Sequence, residues 1–282
     1  QLRRPTPVDE ARRLLLAARQ RRRRPGLDDK VLTEWNALFL WALADAATVF
    51  QREDWKQAAV ANGEFLLREL RDERGRWLRS WQADGSPKAR HPALAADHAA
   101  LVLAFQRLAE LTGEARWVTA AIATAETMLD WFWDPVSGGL YTTAEDAEAL
   151  VVRQKDLHDD ATPSANSLAG EGLLRLAALT GEQRYRNHAE RIYQLLASVI
   201  AQSPGAASNA VLGIETLARG LGELAIVGDA PELVRTAQAL WRPDVVLAWG
   251  EPFESPLWEQ RRDGFAYLCR DFVCQRPVDT PE

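Results

Sequence analysis

An internal repeat restricts the fold of this chain more than any other feature. The segment Leu111-Thr-Gly-Glu-Ala-Arg-Trp117 returns 68 residues later as Leu179-Thr-Gly-Glu-Gln-Arg-Tyr185, and residues 49–55 form a weaker earlier copy. Apolar helical patterns flank each copy. Self-similarity at such a period is typical of tandem helical hairpins that share one core. We therefore predict an all-α chain of repeated hairpins.

Two kinds of helix alternate in the repeats. The first kind, as in residues 101–108, is apolar on almost all sides, which predicts burial on both sides. The second kind, as in residues 117–128, carries its apolar residues on one face, which predicts an outer helix. Alternating inner and outer helices form either a closed α/α toroid or an open superhelix.

The segments between the hairpins favour the toroid. They run from about Asp72 to Ala95 and from Trp133 to Pro163, far longer than ordinary connections between paired helices. Each segment is predicted to contain a small β-hairpin, one including residues 76–81 and the other formed by residues 140–143 facing 150–153. The predicted fold class is therefore an all-α toroid of hairpins with small β-hairpin excursions.

Charge separates the start of the chain from the rest. The first 24 residues carry nine arginines, although the whole chain has a net charge of −6. We predict a basic helix and linker over residues 1–27 and a toroid domain of about four hairpins over residues 28–282. The last inner helix is predicted near Ser208, before an irregular tail with one helix over Pro231 to Trp241. The arginine run at 21–24 fits a nucleic-acid contact or a solvated helix end, and the acidic remainder favours the second.

The chain has two cysteines, Cys269 and Cys274. So few cysteines do not build a disulfide framework and are typical of a cytoplasmic protein. In one extended strand, residues five apart point to opposite faces, so we expect two buried reduced thiols; a redox pair or a metal site is the alternative. The longest apolar stretch, Ala37 to Phe50, is shorter than the roughly 20 residues of a membrane-spanning helix. Neither nucleic acid nor a membrane is a predicted partner.

A polar rim is predicted at one end of the inner helices. The repeat offsets place Asn36, His98 and Asn166 at one equivalent position, where they should surround one mouth. The predicted substrate-binding residues are Asp28, Lys30, Trp35, Asn36, Trp81, His98, Lys155, Asp159, Ser164 and Asn166. Aromatic faces beside carboxylates suit sugar rings. The same Asp, Asn and Ser residues are also typical helix caps, and most tryptophans only pack.

Three carboxylates, Asp29, Asp97 and Asp156, are the predicted catalytic residues. Glycoside hydrolysis needs two carboxyl groups about 5 to 5.5 Å apart for retention, or about 6.5 to 9.5 Å apart for inversion. Because neighbours such as Asp28 and Asp29 point apart, a working pair has to combine Asp29 with Asp97 or Asp156. Epimerisation beside a carbonyl instead needs an acid and a base on opposite faces of a carbon, for which His98 is the candidate. No metal or other cofactor is predicted.

Several segments resemble one known family. They are Asp28-Asp-Lys-Val-Leu-Thr-Glu-Trp-Asn36, Gly138-Gly-Leu-Tyr-Thr142, Lys155-Asp156, Asp159 with Ala161-Thr-Pro-Ser-Ala-Asn-Ser167, and Ala266-Tyr-Leu-Cys-Arg-Asp-Phe-Val-Cys-Gln275 before Pro277. Together they cover nearly the whole chain and resemble the bacterial YyaL and animal spermatogenesis-associated family of thioredoxin-domain-containing proteins.

The resemblance implies a thioredoxin-like domain as a partner in the parent protein, followed by a six-hairpin toroid similar to glycosidases and N-acylglucosamine 2-epimerases. By the same resemblance, the thioredoxin domain and the first part of the toroid are expected to be absent here. About four of six hairpins would remain, so the toroid is expected to be incomplete. The chain departs from the family at Ala96-Asp97-His98, where an acidic residue and a tyrosine are frequent.

The leading hypothesis is a carbohydrate-processing or carbohydrate-binding toroid with a small-molecule carbohydrate as its partner. As an enzyme it would be a glycoside hydrolase or a sugar 2-epimerase. The alternative is a non-catalytic helical platform that acts with a thioredoxin domain in redox or protein quality control. A purely structural scaffold is the third hypothesis.

Overall fold

A computed structural model describes residues 6–83, 88–148 and 151–281. The chain divides into two compact units, Gln1–Lys30 and Val31–Glu282. Within the first unit, helix α1 (Pro7–Gln20) begins with a capping box. Thr6 Oγ1 accepts a hydrogen bond from the Asp9 amide at 3.3 Å, and the Asp9 carboxylate accepts one from the Thr6 amide at 2.8 Å. A helix therefore forms where the basic N-terminal helix was predicted.

The second unit is built on a series of helical hairpins. Its helices are α2 (Thr33–Val49), α3 (Glu53–Glu69), α4 (Ala95–Thr112), α5 (Ala115–Phe132), α6 (Ala165–Thr180), α7 (Gln183–Gln202) and α8 (Ser208–Arg219). Helices α2, α4, α6 and α8 lie side by side in this order, and α3, α5 and α7 each pack on the helix before them. Leu101, Leu103 and Phe105 of α4 are all buried, so α4 is enclosed on every side. The predicted alternation of inner and outer helices is confirmed.

The repeated Leu-Thr-Gly-Glu segment is the end of an inner helix. Gly113 and Gly181 follow α4 and α6 with φ of 72° and 78°, a left-handed conformation in which glycine is the least strained residue. Thr112 and Thr180 each donate their hydroxyl to the carbonyl four residues earlier and accept the amide two residues later. The sequence repeat therefore encodes one helix cap twice.

The first long excursion forms a small antiparallel sheet. Its strands are β1 (Val31–Leu32), β2 (Leu78–Gln82) and β3 (Lys88–Pro92), in the order β1-β2-β3. In the second excursion, Leu140 pairs with Trp133 rather than with residues 150–153, of which Leu150 lies outside the described residues. The first predicted hairpin is confirmed. In the described part of the second, no strands form. The chain returns onto the end of α5, and the Thr142 amide donates to the Gln154 carbonyl at 2.8 Å, so the two segments still lie side by side.

The tail is a second sheet, so the prediction of an irregular tail is wrong. Strands β4 (Gly222–Val227), β5 (Val245–Ala248), β6 (Phe265–Arg270) and β7 (Val273–Cys274) lie in the order β5-β4-β6-β7. Strands β4 and β5 are parallel and joined through α9 (Pro231–Ala239), while β6 and β7 run antiparallel to their neighbours. Short apolar runs such as β5 carry no periodicity that separates a buried strand from a piece of helix.

The expectation of two reduced thiols is also wrong, because Cys269 and Cys274 form a disulfide across β6 and β7. The chain reverses at Asp271 and Phe272, whose φ values of 49° and 62° are those of a two-residue hairpin turn. The two cysteines therefore face each other across the hairpin instead of alternating along one extended strand.

Among the helices of the described residues, none has the length and apolar character needed to cross a membrane.

Candidate functional site

Two carboxylates from adjacent inner helices meet at one arginine. Glu34 lies in the first turn of α2, Asp97 in the first turn of α4, and Arg79 on β2. Arg79 Nη1 lies 3.0 Å from Asp97 Oδ2, and Arg79 Nη2 lies 3.9 Å from Glu34 Oε2. Thr162 Oγ1, from the second excursion, donates to Glu34 Oε1 at 3.2 Å. We call Glu34, Arg79, Asp97 and Thr162 the carboxylate cluster.

Asp97 is the fixed member of this cluster. Its Oδ2 accepts the Leu94 amide at 2.7 Å and its Oδ1 accepts the Glu34 amide at 3.0 Å, so one carboxylate satisfies the first turns of both α4 and α2. It is fully buried. Burial raises the pKa of Asp97 to about 6, although the positive charge of Arg79 opposes the increase. Asp97 can therefore gain or lose a proton close to neutral pH.

Solvent reaches the cluster through its other members. The Arg79 side chain is 33% exposed and that of Glu34 is 10% exposed. The sequence analysis missed both residues. Glu34 lies inside the Thr-Glu-Trp-Asn motif, immediately before the predicted residues Trp35 and Asn36, whereas nothing local distinguishes Arg79 from the nearby Arg76.

Asn166 ties the second excursion to the start of α6. Its Oδ1 accepts the Leu140 amide at 2.7 Å, and its Nδ2 donates to the Leu140 and Asp156 carbonyls at 3.1 and 2.8 Å. Gly139, at φ of 75°, passes so close that an added Cβ would lie 2.9 Å from Asn166 Oδ1. All hydrogen-bonding groups of this amide are thus engaged with backbone.

Lys155 joins two parts of the same excursion. Its Nζ lies 2.7 Å from Asp134 Oδ2 and 2.6 Å from the Gly138 carbonyl, in a largely buried position. The hydrogen bond from Lys155 holds the pKa of Asp134 well below its usual value. The compact ammonium of lysine suits this pocket of oxygen atoms.

Asp156, Asp159 and Ser164 act at helix starts. Asp156 Oδ2 accepts the Ala165 amide at 3.3 Å, and Ser164 is the N-cap of α6. Asp159 accepts the amides of Ser164 and of Asn209 in α8, both at 2.8 Å. These three residues therefore cap helix starts, which is the second role that the sequence analysis allowed for them.

His98 lies in the core rather than at a mouth. Its ring packs against Phe132 at a centroid distance of 4.9 Å, and its Nδ1 lies 2.9 Å from the Leu94 carbonyl. A carbonyl can only accept, so we assign the proton to Nδ1. Burial lowers the pKa of His98 to about 4, which keeps the imidazole neutral at physiological pH.

The remaining predicted residues are packed or hydrogen-bonded within the second unit, exposed on its surface, or part of the N-terminal unit. Asn36 Nδ2 donates to the Leu32 carbonyl at 2.9 Å, and Trp81 packs edge-on against Phe65 at 5.5 Å. Trp35 is an exposed side chain on α2. Asp28, Asp29 and Lys30 belong to the N-terminal unit, where Lys30 Nζ lies 2.9 Å from Asp28 Oδ1.

A second charged cluster lies at the opposite ends of the same helices. Glu110 is enclosed between Arg107 and Arg175, each 2.6 Å away, and its Oε1 also accepts the Leu247 amide of β5 at 3.3 Å. Although burial opposes it, Arg175 and Arg107 hold the pKa of Glu110 below its usual value. An apolar cavity of about 150 Å³ adjoins this cluster. Because the Glu110 carboxylate is fully paired and joins the helices to the tail sheet, we regard this cluster as structural.

Comparison with known proteins identifies similar sequences. Residues 26–209 match the family model described as N-acylglucosamine 2-epimerase (GlcNAc 2-epimerase). Spermatogenesis-associated protein 20 is 27% identical over 290 residues in both Homo sapiens and Mus musculus, covering 95% of this chain and 37% of either relative. The chain thus spans little more than a third of the length of these curated relatives. The resemblance to the spermatogenesis-associated proteins is confirmed.

Comparison with solved structures identifies the fold. Cellobiose 2-epimerase from Spirochaeta thermophila superposes with a TM-score of 0.51 at 22% identity, over 64% of this chain and 46% of that chain. An α-mannanase of glycoside hydrolase family 76 from Bacteroides thetaiotaomicron superposes with a TM-score of 0.54 at 16% identity, over 76% and 57%. At these identities the likeness shows the α/α-toroid fold alone.

Proposed function

Because the chain belongs to the N-acylglucosamine 2-epimerase family, we propose that its toroid binds a carbohydrate and acts on it at the carboxylate cluster. One observation carries the proposal: two carboxylates at the ends of adjacent inner helices share one arginine that reaches solvent. The helix starts are also where the long excursions converge, and such long loops commonly carry function. A planar guanidinium beside carboxylates offers the donors and acceptors that sugar hydroxyls require.

The members of the cluster have different roles in this proposal. Glu34 is the acid–base group, because it is the carboxyl of the cluster that solvent reaches. Arg79 binds substrate hydroxyls. Asp97 acts through Arg79, since its two oxygens are already occupied by two backbone amides and the guanidinium. Asp29 and Asp156 stay predicted catalytic residues, and Asp29→Asn and Asp156→Asn test them in the same assays.

Glycosidic-bond hydrolysis fits this arrangement better than epimerisation by histidine. The one histidine placed near the helix starts by the repeat, His98, packs against Phe132 and is neutral. A carboxyl group with a carboxylate partner, in contrast, is what hydrolysis of a glycoside requires. We therefore place glycoside hydrolysis first and 2-epimerisation second.

The test is a ligand-observed NMR screen of mono- and disaccharides, followed by turnover assays, on this chain and on its longer parent protein. Glu34→Gln should abolish turnover, and Arg79→Gln should weaken saccharide binding at least tenfold. Glu53→Gln is the matched control, because Glu53 occupies the first turn of α3 but is exposed. If both cluster variants bind and turn over like the wild type, the site is wrong. If no saccharide binds either protein, the carbohydrate function is wrong.

We also propose that this toroid is part of a six-hairpin ring. The two inner helices at the ends of the series both expose large apolar side chains: Trp35 and Phe39 on α2, and Leu212 on α8, each more than 60% exposed. Apolar patches of this kind mark surfaces that a further element covers. Hairpins of the parent protein are the proposed cover, and a thioredoxin-like domain is its proposed additional partner.

The alternative function, a non-catalytic platform for redox or protein quality control, is favoured by one observation, the disulfide between Cys269 and Cys274. On this proposal the parent protein captures peptides or thiols and ignores saccharides. Turnover of a saccharide that Glu34→Gln abolishes would exclude it.

A further inference from the structure

The disulfide between Cys269 and Cys274 joins the last two strands of the tail sheet. The Gln275 amide donates to the Leu268 carbonyl at 2.9 Å, so the cysteines form the next pair along the hairpin, a pair without hydrogen bonds between its members. Side chains approach most closely at such positions. Strand β7 forms the edge of the sheet, so Cys274 lies on an edge strand, whereas Cys269 lies on β6 between two strands.

The two sulfur atoms differ in their access to solvent. Cys269 is 3% exposed and faces Glu223 of the neighbouring strand β4. Cys274 is half-buried, next to the exposed Val273. A reagent therefore reaches the sulfur of Cys274 first, and Cys269 is left as a protected sulfur behind it.

An arginine is fixed beside the accessible sulfur. Arg261 Nη2 lies 3.0 Å from Cys274 Sγ and 3.9 Å from Cys269 Sγ. Its Nε donates to the Leu257 carbonyl at 3.2 Å, and its guanidinium lies over the ring of Tyr267, so it is positioned before any reaction occurs. A cation at this distance stabilises a thiolate.

We propose that Cys269 and Cys274 form a thiol–disulfide exchange site for a partner dithiol. A thiolate of the partner attacks Cys274 Sγ, the bond between the two cysteines breaks, and Cys269 leaves as a thiolate that takes a proton. The second thiolate of the partner then attacks its own sulfur in the mixed disulfide. Cys274 leaves as a thiolate beside Arg261 and the partner becomes a disulfide, so two electrons pass to this chain. Of the two protons that the partner thiols release, Cys269 takes one and the solvent takes the other.

The geometry selects a dithiol rather than a single thiol. Cys269 stays directly opposite Cys274, with Cα atoms 3.8 Å apart, so it can expel a single thiol from the mixed disulfide by re-forming the original bond. A partner with two thiols can instead form its own disulfide, which releases it from Cys274 before Cys269 attacks the mixed disulfide. The hairpin does not depend on the bridge, because the ladder from β4 to β6 and the hydrogen bonds of β7 remain when it opens.

Three further charged groups lie near the pair. Glu223 lies opposite Cys269 and accepts the Phe272 amide at 3.4 Å, while Arg270 precedes the turn and Asp271 lies in it. Asp271 is engaged by Arg186, whose Nη1 lies 3.2 Å from its Oδ1. Arg261 is thus the cation closest to Cys274 among the described contacts.

The experiment uses the full chain in its oxidised form. Dithiothreitol and 2-mercaptoethanol are compared at equal thiol concentration, free thiols are trapped with iodoacetamide, and the products are located by mass spectrometry. Dithiothreitol should reduce the bridge completely while the circular dichroism spectrum stays native, whereas 2-mercaptoethanol should leave most of it intact. A bridge that resists dithiothreitol until the chain unfolds would show a structural disulfide and overturn the proposal.

Single-cysteine variants test which of the two sulfur atoms reacts first. Cys269→Ser, which leaves Cys274, should react with a dithionitrobenzoate reagent about tenfold faster than Cys274→Ser, which leaves the buried Cys269. Adding Arg261→Met to Cys269→Ser should slow that reaction about three- to tenfold at neutral pH, with the circular dichroism spectrum unchanged. Equal rates for the two single variants, or no effect of Arg261→Met, would contradict the assigned roles.

Discussion

Removing the charge of Asp97 should change how the free energy of unfolding depends on pH. Burial raises the pKa of Asp97 from 3.8 to about 6 in the folded chain. Between these values the folded state keeps a proton that the unfolded state has released. The resulting stabilisation is complete below pH 3.8 and is lost as the pH rises through 6. At roughly 1.4 kcal/mol per unit of pKa, the loss is about 3 kcal/mol by pH 7.

The assay is urea unfolding followed by circular dichroism between pH 4 and 7.5, with Asp97→Asn beside the wild type. The free energy of wild type minus that of the variant should fall by about 2.5 kcal/mol across this range, because the first part of the loss occurs below pH 4. Other groups whose pKa changes on folding, such as His98, contribute equally to the free energies of both proteins, so their contributions cancel in this difference. Asp130→Asn, an exposed aspartate on α5, is the matched control and should give a flat difference.

A difference that stays flat for Asp97→Asn, or that grows as the pH rises, would refute the reasoning. Growth with pH would mean that Arg79 outweighs burial, so that the pKa of Asp97 is lowered in the folded chain. Asp97 would then be a permanent anion, and the conclusion that it gains or loses a proton close to neutral pH would have to be abandoned.

Three further predictions concern packing and surface. Gly63→Ala should destabilise the chain by about 1–3 kcal/mol in urea, because the added Cβ would lie 2.5 Å from a buried leucine side chain, whereas Gly205→Ala, in open space, should change little. Lys155→Met should cost about 3 kcal/mol in the same assay, since it leaves the Asp134 carboxylate without its cation; a loss below about 0.5 kcal/mol would contradict this. Trp35→Gln should reduce self-association of the chain in sedimentation velocity, and an already monomeric wild type would contradict the proposed ring closure.

The sequence shows well what depends on residues close together in the chain. The repeat at Leu111 and Leu179 predicted the hairpins because a glycine in the left-handed region ends both α4 and α6. The apolar pattern of α4 predicted burial on all sides, since helical spacing alone decides which residues share a face. Asn36 and His98 each occupy the fourth position of their helices, as the repeat offset between them predicts, whereas Asn166 occupies the second position of α6.

Tertiary structure decided which of those residues meet. Glu34 and Asp97 lie 63 residues apart, and Arg79 reaches them only because β2 pairs beside the start of α2. The bridge between Cys269 and Cys274 required a chain reversal that no local pattern indicated. Neighbouring residues specify the hairpins and the ends of their helices, because caps and faces are set within a few positions of the chain. The carboxylate cluster, the tail sheet and the disulfide arose only in the folded chain, because each joins groups whose approach depends on the packing of separate elements.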